Sequence, residues 1–306
     1  MPPIMLTNDT ISLSLDHEHG CNILSLEIML DDQWTHVMRH GEAGEASFVM
    51  LPWTNRIKDA RFTFGGREHQ LRSNFPDGTA IHGIARDYPW TILDRSPYSA
   101  RCSFDSRSVE DANFPYDFGS VMRVEIGEGT VEIELSIQNL GDEPMPCGMG
   151  HHPHFYRTLT QGEDELEVRV GVDGRYPCEH QIPQGPLEDD VVSAQLRDGG
   201  PIGNPDLDDV FGGFDGRAEL LWSRSGVRCV MECCDAQNAL VVFTPRVEGL
   251  DESREPASAL SWVCVEPMTM INDGFNPKEG IESGVRVLNP GESLKTTMRL
   301  CFTRTA

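Results

Sequence analysis

The sequence predicts an all-β protein, a large antiparallel β-sandwich. Three observations carry this prediction. Apolar and polar residues alternate with a period of two in segments spread over the 306 residues, a pattern typical of strands with one buried and one exposed face. Glycine-containing turns separate several of these segments. No long segment has the 3.6-residue periodicity of an amphipathic helix, so closely spaced strands joined by turns favour an antiparallel sandwich or barrel.

The alternation assigns one face of each predicted strand to the core. The apolar positions are Ile11, Leu13 and Leu15; Val131, Ile133, Leu135 and Ile137; Leu166, Val168, Val170 and Val172; and Leu294, Met298, Leu300 and Phe302 together with Thr296. Ser12 and Ser14 alternate with the first set, so we expect them on the exposed face of their strand.

Two turns predict hairpins. Gly65-Gly66 separates residues 61–64 from residues 67–71, and Gly127-Glu128-Gly129 separates residues 121–126 from residues 130–137. Glycine suits both turns because tight hairpin turns need positive φ angles. Neither a repeat of fixed period nor a low-complexity linker divides the chain. We therefore expect residues 1–306 to form a single domain.

The charge of the chain narrows the possible partners. Its 25 Lys and Arg residues are outnumbered by 49 Asp and Glu residues, which gives a formal net charge of −24 at pH 7. Nucleic acids and anionic membrane surfaces both attract basic side chains, so we expect neither as a partner. The 39% of hydrophobic residues argues against disorder. The acidic excess therefore indicates a well-solvated surface.

Cysteine usage and the chain start bear on the cellular location. The chain has nine cysteines, an odd number, with neither a Cys-x-x-Cys pair nor the spacing of a zinc site. The first residues lack the charged and apolar regions of a secretory leader, and no apolar run has the length of a membrane span. We expect reduced thiols and a cytoplasmic location. The sequence does not separate a monomer from a homodimer.

Polar residues interrupt the strand pattern in five places, which makes these places candidate functional sites. They are Pro52-Trp53-Thr54-Asn55-Arg56-Ile57, Ala80-Ile81-His82-Gly83-Ile84-Ala85-Arg86, Gly148-Met149-Gly150-His151-His152-Pro153-His154-Phe155-Tyr156, Asp206-Leu207-Asp208-Asp209-Val210-Phe211, and Cys264-Val265-Glu266-Pro267-Met268-Thr269. The chain has no Gly-x-Ser-x-Gly nucleophile turn and no glycine-rich phosphate loop. Serine-nucleophile and nucleotide chemistry therefore have no support.

Three histidines beside Pro153 allow three interpretations. In a strand His152 and His154 share one face and His151 opposes them, so the pair could bind a metal ion with a third ligand from the acidic segment around Asp208. The histidines could instead satisfy backbone groups at a strand end. The third interpretation is acid–base catalysis, because imidazole titrates near neutral pH.

Glu266 is the carboxylate that could complement a histidine. Its neighbours Val265 and Pro267 are apolar, and burial raises the pKa of a carboxyl toward the range that suits a general base. The alternative is a buried ion pair with Arg56, which serves stability rather than chemistry.

Taken in chain order, the five places resemble the aldose 1-epimerase (galactose mutarotase) family. The residues that carry the resemblance are Asn55-Arg56-Ile57 with Phe62, Gly66 and Leu71; Asn74 with His82-Gly83; His152-Pro153-His154-Phe155; Asp208-Asp209-Val210-Phe211; and Thr244-Pro245 with Cys264-Val265-Glu266-Pro267. Each motif is weak by itself, but their order and spacing agree over nearly the whole chain.

The resemblance implies a galactose mutarotase-like supersandwich and an isomerase that acts on a small sugar. The activity would be interconversion of the α and β anomers of a free aldohexose such as glucose or galactose, with no cofactor and no metal. By motif, Glu266 resembles the general base at the C1 hydroxyl and His152 the general acid at the ring oxygen.

The resemblance also assigns residues that bind the sugar. Asn55, Arg56 and His82 would contact hydroxyls or the ring oxygen, and Asp208 would fix ring hydroxyls. Trp53 and Trp90 could stack on the sugar, although burial in the core is the commoner place for tryptophan.

Two departures from the family pattern leave alternatives open. His154 stands where many members have Tyr, and His151 precedes the expected catalytic His152, so either of the adjacent histidines could face the site. The segment that ends at Arg86 also resembles relatives that act on hexose 6-phosphates, in which arginines hold the phosphate. A sugar-binding protein without turnover is the third possibility, because a fold does not fix a function.

Overall fold

The computed structural model describes residues 2–159, 164, 166–203, 207–245 and 262–305. Antiparallel strands dominate the described residues, as predicted. Within these residues, four short 3₁₀ helices cover Gly41–Ala43, Lys58–Ala60, Ala85–Asp87 and Ser106–Ser108.

The first four strands form an antiparallel sheet in chain order: β1 (Ile4–Thr7), β2 (Ile11–Asp16), β3 (Asn22–Leu30) and β4 (Gln33–His36). Ser12 and Ser14 on β2 are only 8% exposed, so the prediction of an exposed face is wrong there. Ser14 lies 2.7 Å from the hydroxyl of Ser25 on β3. This hydrogen bond allows a polar side chain to be buried between strands.

The next strands span the first three candidate places and the segments around them. They are β5 (Val49–Met50), β6 (Arg56–Ile57), β7 (Arg61–Phe64), β8 (Arg67–Gln70), β9 (Ala80–Ile81), β10 (Thr91–Arg95), β11 (Ser99–Asp105), β12 (Phe118–Gly127), β13 (Thr130–Asn139), β14 (Met145–Cys147), β15 (Gly150–His151) and β16 (His154–Tyr156). Both predicted hairpins are confirmed, since β7 pairs with β8 and β12 pairs with β13.

The described part of the C-terminal half contains the remaining elements. They are β17 (Leu166–Val170), β18 (Gly174–Arg175), β19 (Cys178–Glu179), β20 (Ile182–Pro183), α1 (Val191–Asp198), β21 (Asp208–Gly212), β22 (Arg217–Trp222), β23 (Val227–Cys233), β24 (Ala239–Phe243), β25 (Trp262–Met268), β26 (Arg286–Leu288) and β27 (Ser293–Arg304). Asp190 caps α1 by accepting a hydrogen bond from the Ser193 N–H, which satisfies a free donor at the helix start.

Two large sheets make up the sandwich. The eight-stranded sheet has the order β10-β11-β12-β13-β27-β23-β22-β17, and the seven-stranded sheet has the order β18-β21-β24-β25-β15-β5, with β16 also paired to β25. Smaller two-stranded pairs are β6–β9, β7–β8, β14–β26 and β19–β20. On β27, Thr296, Met298, Leu300 and Phe302 are all buried, as the alternation predicts.

The two faces of the seven-stranded sheet differ in what covers them. Phe211, Val242 and Val265 belong to the main hydrophobic core, together with Val131 and Ile133 of the eight-stranded sheet. This shared core packs the two sheets face to face. The side chains that alternate with them form a separate apolar cluster on the other face, which includes Val210, Val241 and Met268. The candidate site lies on this second face.

The register of the strands places three candidate residues and one phenylalanine in a row across the second face. Asp208 pairs with Phe243, Phe243 with Cys264, and Cys264 with His154. Directly paired residues of neighbouring strands point to the same side of a sheet. Glu266 lies two positions further along β25 than Cys264, so its side chain emerges on that side too.

Candidate active site

A buried carboxyl–imidazole pair lies at the centre of the site. Nε2 of His152 lies 3.1 Å from Oε1 of Glu266, and the two side chains are 10% and 1% exposed. The other polar atom of each group, Nδ1 of His152 and Oε2 of Glu266, has no hydrogen-bond partner among the described residues. A bound molecule with hydroxyl groups could satisfy both atoms.

The surroundings oppose charge on both members of the pair. Burial raises the pKa of Glu266 well above its usual value, and the nearby Asp208 carboxylate raises it further, while Arg56 opposes the shift. Burial lowers the pKa of His152 well below its usual value, and the neighbouring His154 and His82 add to this effect. Both shifts favour the uncharged forms, a protonated carboxyl and a neutral imidazole, which together carry one proton.

Two aromatic rings hold the imidazole of His152. The Phe48 ring stacks on it at 4.5 Å between centroids, with an interplanar angle of 30°. The His154 ring stacks on it at 4.4 Å and 23°. His154 is itself fixed by a hydrogen bond from Nδ1 to the Ala46 carbonyl, 3.3 Å away. These contacts restrict rotation of the His152 ring and keep Nε2 directed at Glu266.

The adjacent His151 has no contact with this pair among those seen in the structure. It is buried, its Nε2 atom lacks a partner among the described residues, and burial lowers its pKa to about 4. Because neighbours in an extended chain point to opposite sides, the contact between His152 and Glu266 directs His151 away from the site.

Arg56 connects three other polar residues near Glu266. Its Nε donates to Oδ2 of Asp77 at 3.0 Å, and its Nη1 donates to Oδ1 of Asn55 at 3.1 Å. Its Nη2 lies 3.9 Å from Oδ2 of Asp208. Arg56 thus pairs with Asp77 and Asp208 rather than with Glu266, the ion pair considered as the alternative, although its guanidinium still lowers the Glu266 pKa electrostatically.

His82 completes the set of buried imidazoles. Its ring meets the His152 ring edge to face at 5.1 Å, and its Nδ1 lies 3.1 Å from Sδ of Met50. Thioether sulfur can only accept a hydrogen bond, so Nδ1 carries the proton and Nε2 is left as an acceptor. Burial lowers the pKa of His82 well below its usual value, with a further contribution from Arg86.

The backbone at two of these positions is left-handed. Asn55 has φ 47° and His82 has φ 62°, and both lie next to the short β6–β9 pair. Gly83 follows with φ 70°, where an added Cβ would lie 1.7 Å from the Leu51 carbonyl oxygen. Non-glycine residues with such angles are uncommon and concentrate at functional sites.

The residues considered as metal ligands are only partly brought together. The ligand atoms of His152, His154 and Cys264 lie within 4.8 Å of one another, whereas Asp208, the expected third ligand, faces Arg56. Nε2 of His152 is already engaged by Glu266. Burial raises the pKa of the Cys264 thiol well above its usual value, which disfavours the thiolate that a metal ion needs.

The two candidate stacking tryptophans belong to the core. Trp53 and Trp90 are 0% and 2% exposed. Their indole N–H groups donate to the carbonyls of Ala80 and Ala85. Both side chains are thus satisfied inside the protein and are closed to a sugar.

Comparison with known proteins gives a family match over nearly the whole chain. The model of the aldose 1-epimerase family matches residues 4–301.

The chain belongs to the aldose 1-epimerase family.

Three similar proteins are a curated relative and two solved structures. The uncharacterized protein YphB of Escherichia coli (strain K12) is 27% identical over 270 residues, which cover 86% of each chain. A galactose mutarotase-like protein from Clostridium acetobutylicum has a TM-score of 0.83 at 18% identity, covering 99% of this chain and 95% of the other. The GalM/aldose epimerase homologue from C. elegans has a TM-score of 0.78 at 14% identity, covering 99% of both. The two solved structures confirm the predicted galactose mutarotase-like fold.

Sequence reasoning missed three residues that shape the site of this aldose 1-epimerase family member. Phe48 lies in an ordinary apolar run, Asp77 in a turn, and Met50 on a two-residue strand. None has a local sequence signal, because each acts through a contact with a distant residue.

Among the described residues, the longest helix, α1, has eight residues, and no helix is long and apolar enough to cross a membrane.

Proposed function

We propose that this chain is a mutarotase, an isomerase that interconverts the α and β anomers of a free aldohexose such as glucose or galactose. The observation that carries the proposal is the 3.1 Å contact between His152 and Glu266. Mutarotation requires one group that takes a proton from the C1 hydroxyl and another that gives a proton to the ring oxygen. A buried pair that shares one proton can serve as both.

The proton count of the pair suits this chemistry. When the shared proton lies on His152, Glu266 is a carboxylate and His152 an imidazolium. That form contains the base and the acid together, yet it has the same number of protons as the uncharged form. Substrate binding therefore requires no net uptake or loss of a proton, which keeps the active form available over a broad pH range.

The reaction then proceeds by opening and closing the ring. Glu266 takes the proton of the C1 hydroxyl while His152 protonates the ring oxygen, the bond between C1 and that oxygen breaks, and C1 becomes an aldehyde. Rotation about C1–C2 exposes the other face of the carbonyl. Reclosure reverses both proton transfers and returns the pair to its first state. This sequence uses no metal and no cofactor.

Four polar residues around the pair are proposed to hold the sugar. Asn55, Arg56, His82 and Asp208 offer amide, guanidinium, imidazole and carboxylate groups, which together can donate to and accept from hydroxyls. Arg56 is tied to Asp77 and Asn55, so its position is set before a sugar binds. Such preorganisation lowers the entropic cost of binding.

A neutral sugar is favoured over a hexose 6-phosphate. Phosphate binding needs cations whose charge is not already matched, but Arg56 faces Asp77 and Asp208. Nε of Arg86 lies 3.3 Å from a carboxylate oxygen of Asp87.

A binding protein without turnover is disfavoured for another reason. Burying Glu266 beside His152 costs stability, and a catalytic role accounts for that cost.

The direct test is anomer exchange measured by NMR. Fresh α-glucose, α-galactose and glucose 6-phosphate are each followed with and without the protein. We expect faster exchange of at least one neutral sugar, and a loss of about 10²–10⁴-fold in Glu266→Gln. Glu110→Gln, an exposed surface change, is the matched control and should keep the full rate.

Three outcomes would contradict parts of the proposal. A fully active Glu266→Gln variant would show that Glu266 is not the base. Exchange of glucose 6-phosphate alone would favour the phosphosugar alternative. Sugar binding without any exchange in the wild-type protein would favour the non-catalytic alternative.

A further inference from the structure

The segment that follows β25 contacts the chain on either side of the proposed site. β25 carries Glu266, and we call residues 269–276 the post-β25 segment. The Thr269 N–H donates to the Met149 carbonyl at 2.9 Å, and the Met149 N–H donates to the Thr269 hydroxyl at 3.0 Å. Because Met149 lies shortly before His152 in the chain, these two bonds tie the strand of the proposed base to the segment of the proposed acid.

The post-β25 segment also holds the backbone around Arg56. The Asp273 N–H donates to the Arg56 carbonyl at 2.6 Å, and Oδ1 of Asp273 accepts from the Lys58 N–H at 3.0 Å. The Thr54 hydroxyl donates to the Met270 carbonyl at 2.5 Å. Two of these bonds come from Asp273, which therefore fixes the chain at Arg56 and just beyond it.

Asp273 is itself held in place. It is 7% exposed, and its backbone is left-handed with φ 55°. Nδ2 of Asn276 donates to Oδ1 of Asp273 and to the Arg61 carbonyl, both at 2.8 Å. The Asn276 N–H donates to the Asp273 carbonyl, also at 2.8 Å. These bonds fix the orientation of the Asp273 carboxylate before a sugar binds.

The carboxylate of Asp273 acts as an acceptor for the backbone. Burial raises its pKa, while the hydrogen bonds from Asn276 and from the Lys58 N–H lower it. Within the described part of the chain no ion pair of Asp273 is found. A buried carboxylate costs stability, and the two bonds that hold Arg56 and Lys58 account for its presence here.

These bonds set where Arg56 lies relative to Glu266. Arg56 belongs to β6, which pairs with β9 in a two-stranded sheet, whereas β25 belongs to the seven-stranded sheet. Among the described strands, no ladder joins β6 or β9 directly to β25. Asp273 follows Glu266 on the same stretch of chain and bonds to the Arg56 backbone. It therefore provides a connection that strand pairing does not.

We propose that Asp273 is a positioning residue of the sugar site, which sets the place of Arg56 relative to Glu266 and thereby the affinity for the sugar. This inference rests on the proposed function, because Arg56 is proposed to contact sugar hydroxyls. Asp273 acts through Arg56 and does not touch the substrate. Arg56 holds the sugar in the ground state and in the transition state alike, so its displacement raises KM and changes kcat little.

The experiment compares two substitutions at Asp273 in anomer exchange of glucose and galactose. Asp273→Gly keeps the N–H and suits the left-handed angle but lacks the carboxylate. We expect it to raise KM about tenfold with kcat nearly unchanged, the effect of a displaced hydrogen-bonding group. Asp273→Asn keeps an acceptor for the Lys58 N–H and tolerates the angle, so it should restore most of the affinity. Asp32→Gly, at an exposed position with φ 61°, is the matched control and should keep the wild-type KM.

A double-mutant cycle with Arg56→Gln distinguishes positioning from general destabilisation. If Asp273 acts through Arg56, adding Asp273→Gly to Arg56→Gln should raise KM by less than about twofold. A further rise of about tenfold would overturn the inference, and so would an unchanged KM in Asp273→Gly alone. If Asp273→Gly does not fold, Asn276→Ala replaces it in the cycle, because it removes a donor to the same carboxylate. It should raise KM about threefold, and an unchanged KM would again overturn the inference.

The outcomes also separate this inference from the proposed function. If the wild type binds a neutral sugar without exchanging its anomers, the proposed function fails. Calorimetric Kd values for that sugar in the same variants then decide on Asp273 by the same criteria. A wild type that neither exchanges nor binds glucose or galactose would overturn both.

Discussion

The His82 N–H donates to the carbonyl of Asn55 at 2.9 Å, and both residues have left-handed backbone angles. This single bond closes the short β6–β9 pair and brings the two side chains to one end of it. Asn and His tolerate positive φ better than most residues. The backbone conformation, and not only the side-chain chemistry, therefore accounts for the residue types found here.

The first prediction separates backbone strain from side-chain function at Asn55. Asn55→Ala and Asn55→Gly both remove the amide that accepts from Arg56, but only alanine is strained at φ 47°. We expect Asn55→Ala to be less stable than Asn55→Gly by about 1–2 kcal/mol. Urea unfolding measures the difference, and both variants should lose sugar affinity to a similar extent. Equal unfolding free energies would show that the left-handed conformation is not retained in solution.

The second prediction concerns the two adjacent histidines. His152→Gln should lower the rate of anomer exchange by about 10²–10⁴-fold, since the proton donor is lost. His151→Gln should retain most of the rate because His151 has no contact with Glu266 in the structure. The comparison is made by exchange NMR with matched protein concentrations. A larger loss in His151→Gln would reverse the assignment of the general acid.

The third prediction is the pH profile of kcat/KM. Below the pKa of His152 both groups are protonated and the base is lost. Above the pKa of Glu266 both groups are deprotonated, so no proton donor remains. Because burial lowers the first pKa and raises the second, we expect a bell with a broad plateau. Its acid limb should lie below pH 6.5, the ordinary value for histidine. A single limb centred at pH 6.5 would contradict the shared-proton pair.

The fourth prediction links Glu266 to stability. A carboxyl whose pKa is raised in the folded state favours the protonated form, so its stabilising contribution is present below the unfolded value of about 4.5 and is lost as pH rises through the folded pKa. Glutamine does not ionise, so Glu266→Gln avoids this loss of stability at high pH. The variant should be more stable than the wild type at pH 8, by about 0.5–2 kcal/mol. Urea unfolding at pH 8 and pH 4 tests this, and the gain should shrink at pH 4. Lower stability of the variant than of the wild type at both pH values would show that Glu266 has a structural role.

The fifth prediction concerns Phe48 as a positioning residue. Phe48→Leu removes the ring stacked on His152, so we expect kcat to fall by about tenfold while KM for glucose changes little. Phe62→Leu provides the matched control, because Phe62 is also a buried phenylalanine but packs against Phe114 and Phe275. It should lose stability without a change in kcat. Equal kcat values in the two variants would rule out positioning by Phe48.

The fold could be predicted from local patterns to a large extent. Alternation identified the strands around Val131 and Leu300, and paired glycines identified the hairpin at Gly65. The exposure of Ser12 and Ser14 was predicted wrongly, because alternation does not reveal what covers the polar face of a strand. The single domain over residues 1–306, a cytoplasmic location and a monomeric or homodimeric state remain predictions.

The site could be predicted only where residues belong to motifs. The structure brings Glu266 and His152 into contact, and it brings Arg56 near Asp208. Phe48 was not predicted, since its contact with His152 joins residues 104 positions apart. Such contacts depend on strand order in the seven-stranded sheet, which alternation within a strand does not specify.

The row that runs from Asp208 through Phe243 and Cys264 to His154 has a consequence for folding. Its four members come from four strands of the seven-stranded sheet, and each pairing closes a loop of the chain before it gains any contact. Proteins with many such distant pairings fold slowly. During refolding, anomer exchange should therefore recover only with the slowest kinetic phase, and a simple sugar assay would report when the last strand has docked.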